Sequence, residues 1–380
     1  MEDIYSIGKL KFEILSSGIK IDPSMDLSNE QKRFKIPQRV RSGASGGLDL
    51  QLSNKIFVNA PVNEELARTS NLILRKQGEK FLLCRGSKEL LEVTLFSRPV
   101  YYDKKTSDGI PMSKIAQFCF DRINIGIVNQ CFLAENPSYA CKFCSIKSNK
   151  NNDLIAKNNK QIFETLEAVL NDKTINPRYI LLSGGTLNTD GRGAEYIIPI
   201  ARRIKEKYNL NIYVHMAPPA DNSWIDLLAE AGVDEIAYNL EVWDEDLAYK
   251  YTPGKMQLIG RKRYLEVLKY SVKKFDPINT RTLFVVGLEP IESILKGIEK
   301  VASLGVMPIL SVFRPIPETS LAWHTPPSLE YLLELYEKAE NIVSKYNMPL
   351  GPTCILCQNN ALVLPTTKYH KFWDCKQNCV

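Results

Sequence analysis

Six short apolar runs alternate with amphipathic stretches along the second part of the chain, and this alternation restricts the fold more than any other feature. The runs cover residues 123–128, 179–182, 212–214, 235–240, 282–286 and 308–313. Between them, Ile162, Phe163, Leu166, Val169 and Leu170 fall on one helical face. A second stretch opens at Ser223, with Asp226 three residues later, and stops at Gly232, which gives one helix a start and a stop. A third carries Ile294, Ile298, Val301 and Leu304 and ends at Gly305; another runs from Ser328 to about Tyr346. Repeated β-α units of roughly 30 residues predict an α/β fold with a parallel sheet and right-handed crossovers. The choice is between a doubly wound sheet and a full or partial (β/α) barrel. Both place function at the C-terminal ends of the strands.

The chain ahead of these units reads differently. A helical start over residues 4–15 gives way to a basic loop and the flexible Ser42-Gly43-Ala44-Ser45-Gly46-Gly47, and Gln77-Gly78-Glu79 between two apolar runs predicts a hairpin. We therefore divide the chain into an N-terminal accessory α/β segment (1–118), a barrel (119–348) and a C-terminal cysteine-rich metal-binding segment (349–380). The net charge of +6 is spread along the chain. Its densest cluster, Lys32-Arg33-Phe34-Lys35 with Arg39 and Arg41, is read as a solvated surface rather than a phosphate-binding arm. No nucleic-acid partner is expected. The N-terminus has no basic and apolar leader pattern, and no apolar run approaches the ~18 residues of a membrane span, so a cytoplasmic protein with no membrane partner is expected.

Nine cysteines and three histidines are present. Seven cysteines fall into two groups, which points to thiolate-bound metal rather than disulfides. The first group directly follows the 123–128 run: Cys131, Cys141 and Cys144, spaced Cys-x9-Cys-x2-Cys. Three thiolates on one loop suit three irons of a cubane cluster and leave a fourth iron open to a ligand. A zinc site is the alternative, although zinc wants four ligands and no histidine lies in the loop.

Several motifs in order settle the reading. Strand 1 is followed by the three loop cysteines, with the aromatic Phe143 before the last. Strand 2 ends in Leu182-Ser183-Gly184-Gly185-Thr186, and strand 4 in Asn239-Leu240-Glu241. Strand 5 gives Val285-Val286-Gly287-Leu288-Glu289, and strand 6 gives Phe313-Arg314-Pro315-Ile316-Pro317-Glu318-Thr319. Over roughly residues 123–365 this pattern resembles the radical S-adenosylmethionine (SAM) superfamily, particularly its biotin-synthase-like branch. The first cysteine gap is six residues longer than the common Cys-x3-Cys-x2-Cys, and Thr186 stands where a glutamate is usual. Less fully, Asp108-Gly109-Ile110-Pro111, Pro253-Gly254-Lys255 and the terminal cysteines resemble a radical SAM family that occurs beside nitrilases.

The resemblance implies a (β/α)6 or fuller barrel holding a [4Fe–4S] cluster on Cys131, Cys141 and Cys144. SAM would bind at Ser183, Gly184, Gly185 and Thr186, at Asn239 and Glu241, and near Phe143, His215 and Gly287. Each has a plainer alternative: a tight turn for the glycines, a packed core histidine for His215. Asn239 and Glu241, two apart on a strand, should face one way. The implied activity is reductive SAM cleavage to a 5′-deoxyadenosyl radical that takes hydrogen from a small-molecule or peptide substrate. An external one-electron reductant such as flavodoxin or ferredoxin is the implied partner. RNA modification and a non-catalytic zinc-binding barrel are the rival readings.

The second group, Cys354, Cys357, Cys375 and Cys379, is a complete four-thiolate set for a second iron–sulfur cluster or for zinc. If residues 350–355 rise as a seventh strand, Cys354 and Cys357 travel toward the catalytic mouth.

Overall fold

The computed structural model describes residues 2–37, 46–147 and 154–371. Its strands form two sheets. The first has the order β1-β4-β5-β6-β2-β3, built from β1 (Lys20–Ile21), β2 (Leu48–Ser53), β3 (Ile56–Ala60), β4 (Leu72–Gln77), β5 (Lys80–Arg85) and β6 (Lys88–Leu95). β4 and β5 form the expected hairpin, with Gly78 at φ 61° supplying the left-handed turn residue. Two cations of the basic stretch are paired here. Arg33 pairs with Glu79 at 3.0 Å, and Lys35 pairs with the buried Asp49 at 2.6 Å. Arg39 and Arg41 lie outside the described residues.

The second sheet runs β13-β12-β11-β10-β9-β8-β7. It comprises β7 (Gln117–Cys119), β8 (Arg122–Val128), β9 (Tyr179–Gly184), β10 (Asn211–His215), β11 (Glu235–Ala237), β12 (Thr280–Val286) and β13 (Met307–Val312). β8 to β13 are all parallel, and β7 adds one antiparallel edge. This is a partial (β/α)6 barrel, with each expected apolar run inside or overlapping a strand. The crossover helices follow the apolar faces: Asn159–Leu170, Ala194–Tyr208, Ser223–Glu230, Arg261–Phe275, Ile291–Ser303 and Leu329–Ser344. The first is fixed at its start by a capping box between Asn158 and Gln161, and it buries Ile162, Phe163, Leu166 and Val169. β8 alternates in the same sense. Ile123, Ile125 and Ile127 join the core beneath the helices, while Arg122, Asn124, Gly126 and Val128 are the less buried set.

Two departures matter. β11 ends at Ala237, three residues before the apolar run does, because Leu240 N–H donates to the Thr282 hydroxyl rather than to a backbone partner. Glu241 then turns to φ 68°. Residues 350–355 do not form a seventh strand. The segment touches β13 through a bridge between Gly351 and Ile309, then folds into a short 3-10 turn, Leu356–Asn360.

The chain's first helix, Glu2–Ser17, is shared between the two sheets. Its Ile14 and Leu15 enter the core of the first sheet, while Phe12 packs edge-on against Tyr336 of the barrel at 5.3 Å. Lys11, buried on this helix, donates its ammonium to the carbonyl of Val363 at 2.8 Å. Arg314, just past β13, fastens the sheets further. It donates to Asn59 O at 2.7 Å and sits 3.3 Å from the fully buried Glu64 carboxylate. No helix among the described residues is long and apolar enough to cross a membrane.

Candidate functional site

The ends of β8 and β9 bring the cysteine loop and the glycine pair together. Cys131 caps the single helical turn Phe132–Glu135, and Phe132 N–H donates to Thr186 O at 2.9 Å. Gly185 N–H donates to Val128 O at 2.9 Å. The glycines are required by this approach. A Cβ on Gly185 would stand 2.0 Å from Gln130 O, and one on Gly184 would stand 2.9 Å from Val128 O. Cys131 and Cys141 are half-buried, and Cys144 is exposed. Burial pushes the Cys141 thiol up to about 12, with Cys144, Glu241 and Cys131 adding to the rise and Lys255 opposing it. A metal must displace those protons to bind.

The segment Pro253–Leu258 closes over the loop. Gly254 N–H donates to Tyr139 O at 3.1 Å, and a Cβ on Gly254 would clash with that same oxygen at 2.6 Å. This packing places Lys255 beside the thiols. Its ammonium donates to Glu241 Oε1 at 2.7 Å and to Asn239 O at 3.1 Å. Burial works against that charge, but Glu241 outweighs it, and the ammonium is held above its usual range. Asn239 Nδ2 lies 2.7 Å from His215 Nε2. Burial pushes the His215 imidazole down to about 4, so it stands neutral. The Oδ1 of Asn239 and the hydroxyl of Tyr264 are buried without a partner. Buried polar atoms of this kind call for a ligand that supplies the missing hydrogen bonds.

The residues expected to bind SAM are thus distributed unevenly. Ser183, Gly184, Gly185, Thr186, His215, Asn239 and Glu241 line one end of the sheet together with the cysteine loop. Asn239 and Glu241 do not share a strand face. Both lie past the end of β11 and converge through Lys255 and the left-handed turn at Glu241. Phe143 packs on Val242, Tyr251, Val285 and Phe313 at the same end. Gly287, at φ 103°, is packed against Pro327. Glu289 accepts from the backbone N–H groups of Trp243 and Asp244 at 2.8 and 2.7 Å, anchoring the loop that carries Glu241. Lys255, Tyr264 and Glu289 went unassigned in the sequence. Lys255 carried a signal in Pro253-Gly254-Lys255 and Glu289 one in the strand 5 motif, whereas Tyr264 carried none.

Cys354 and Cys357 lie elsewhere. Cys357 Sγ meets the hydroxyl of Tyr179, the first residue of β9, and Cys354 Sγ is 3.9 Å from Asp121, which immediately precedes β8. They sit where the strands begin, not at the mouth where they end, because the missing seventh strand leaves the segment at the sheet's base. Cys375 and Cys379 lie outside the described residues.

A family model described as the radical SAM superfamily matches residues 133–306. The chain is 25% identical over 270 residues to the bacteriochlorophyllide c C-7(1)-hydroxylase of Chlorobaculum limnaeum, covering 65% of this chain and 67% of that protein. Among solved structures it is similar to methylornithine synthase, at 15% identity and a TM-score of 0.43 over 60% of this chain and 70% of the other. It is also similar to a radical SAM methyltransferase from Sphaerobacter thermophilus, at 15% identity and a TM-score of 0.44 over 74% and 76%.

Proposed function

Because this chain belongs to the radical SAM superfamily, we propose that Cys131, Cys141 and Cys144 hold its [4Fe–4S] cluster and that the polar group around Lys255 holds SAM. The cluster and SAM together, given one electron from an external reductant such as flavodoxin or ferredoxin, supply a 5′-deoxyadenosyl radical. The observation that carries the reading is the convergence, at one set of strand ends, of three thiols with buried polar atoms that lack partners.

The residues divide the work by their chemistry. Lys255 is a desolvated cation beside the thiols, suited to the carboxylate of SAM. Asn239 Oδ1 and Glu241 are acceptors for ribose hydroxyls, and neutral His215 fixes the Asn239 amide from the other side. Ser183, Gly184, Gly185 and Thr186 hold the cysteine loop against β9 and leave the backbone bare for the methionine end of SAM. Phe143 and the apolar group it joins shield the site from water. The substrate is a small molecule or peptide. The similarity to a hydroxylase that acts on a chlorophyllide favours the small molecule. A second centre, iron–sulfur or zinc, on Cys354, Cys357, Cys375 and Cys379 belongs to the same proposal.

Anaerobic reconstitution followed by assay for 5′-deoxyadenosine tests this. The native protein should form it, and the triple variant C131A/C141A/C144A should not. Normal yield from the triple variant would end the proposal.

A further inference from the structure

The beginning of the barrel's strands carries a second set of ligand groups. Asp121, Cys354 and Cys357 are all buried, at 3%, 2% and 6% exposure. One carboxylate oxygen and the two sulfurs all lie within 4.8 Å of one another. One oxygen of Asp121 faces Cys354 Sγ at 3.9 Å; the other, Oδ1, accepts no hydrogen bond, although Arg122 and Arg178 act on the carboxylate through their charge. A carboxylate buried with an oxygen unsatisfied is costly unless something else binds there.

From this geometry we infer that Asp121, Cys354 and Cys357 form a mononuclear zinc site at the base of the barrel, opposite the SAM site. Tetrahedral zinc with Zn–S near 2.3 Å and Zn–O near 2.1 Å places two sulfurs about 3.8 Å apart and a sulfur and oxygen about 3.6 Å apart. The 3.9 Å between Cys354 Sγ and Asp121 is close to that, and all three ligand atoms lie within 4.8 Å of one another. Two thiolates and a carboxylate bring three negative charges to a divalent ion. Arg122, next to Asp121, acts electrostatically on both Asp121 and Cys357 and keeps its Nε buried without a partner, so it opposes the remaining charge. The Tyr179 hydroxyl on Cys357 Sγ is the kind of outer contact that orients a metal-bound thiolate. A cavity of about 720 Å³, lined by Cys354, Thr353, Asn211, Glu235, Asn279 and Lys371, gives an ion a path from solvent and a fourth ligand a place.

β9 rises from Tyr179 to Gly184, about 17 Å at 3.3 Å per residue, so the two sites stand at opposite ends of the sheet. A metal here touches no substrate bound beside SAM. Its work is to pin the segment after residue 350 beneath the sheet. This inference rests on the proposed C-terminal centre, keeping Cys354 and Cys357 but giving one of its four places to Asp121 instead of a thiolate, and is independent of SAM cleavage.

The test uses the full chain as C131A/C141A/C144A, so that no iron is held at the mouth, with zinc, iron and sulfide measured on the purified protein. About one zinc per chain and no iron is expected, falling below about a tenth in a further C354S/C357S variant. Since that variant risks misfolding, the metal-stripped triple variant is also titrated with cobalt(II). Thiolate-to-cobalt charge transfer and strong tetrahedral bands are expected, and D121N should weaken cobalt binding roughly tenfold, the value of one charge-assisted contact. Iron with sulfide in place of zinc, no bound metal, or an unchanged cobalt affinity in D121N would each overturn the inference. SAM cleavage by the native chain is scored separately, so neither result decides the other.

Discussion

Gly185→Ala isolates what the glycine pair does. A Cβ at this position would stand 2.0 Å from Gln130 O, 2.5 Å from Gln130 C and 2.7 Å from the Cys131 Cβ. All three belong to the cysteine loop or the residue leading into it. Ordinary contact begins at 3.4 Å, so the loop must retreat by more than about 1 Å. Inserting a methyl into such a contact strains a structure by about 1–3 kcal/mol, which a barrel this size survives. The chemistry is less tolerant, because a displacement of about 1 Å in a positioned reacting group costs about 10²-fold in rate. The assay is 5′-deoxyadenosine formation by anaerobically reconstituted G185A, with bound iron and the melting temperature measured on the same sample. Product formation should fall about 100-fold while the melting temperature drops only a few degrees. Gly78→Ala is the control. Its Cβ meets nothing within 4 Å, and its φ of 61° costs about 1 kcal/mol or a little more, far from the loop. G185A with native iron content and native rate would refute the claim that the cysteine loop rests on this glycine.

Three further outcomes are expected. Glu241→Ala should weaken SAM binding by roughly 10- to 150-fold, the value of about 1.5–3 kcal/mol for one charge-assisted contact, with loop iron retained; an unchanged dissociation constant places the ribose elsewhere. Arg314→Ala strands the buried Glu64 carboxylate and should cost about 3–5 kcal/mol in denaturant unfolding, whereas an unmoved midpoint would show the two sheets are joined by other contacts. The folded His215 pKa, about 4, lies below its ordinary 6.5. The unfolded chain therefore takes up the proton first. The stability this neutral imidazole contributes is full above about pH 6.5 and is lost as pH falls toward 4. His215→Gln should flatten that part of the stability profile of the cluster-free protein, and a profile identical to the native one would count against a buried neutral histidine.

The strands were legible because apolar runs and helix caps are local signals. Asn158 with Gln161 marks a helix start without any tertiary information, and Gly78 marks its turn in the same way. The site was legible only as residue types. Asn239 and Glu241 were expected on one strand face, but both lie past the strand, because a side chain, Thr282, ends the ladder early. Lys255 becomes part of the site through the clash-limited approach of Gly254 to Tyr139, more than a hundred residues earlier, which no local pattern encodes. Cys354 and Cys357 were read as ligand candidates and expected at the mouth, whereas they sit at the other end of the strands. Their place is decided by the first sheet. Phe57 of β3 packs with Phe120 and Ile355, and this occupies the segment that would otherwise continue the barrel.

The bond between Lys11 and Val363 spans 352 residues. During synthesis this helix is made well before Val363, so the carbonyl that Lys11 takes in the folded protein is not there while the intervening residues are being added. Leu364 presses against Gly8, one turn earlier on the same helix, so two neighbouring contacts wait for the same short stretch of chain. Ile14 and Leu15 can settle on the first sheet early, while the barrel side of the helix keeps water as its partner until the segment that carries Cys354 and Cys357 has emerged. The helix is thus secured in two stages, its first-sheet side from nearby sequence and its barrel side from sequence about 350 residues away.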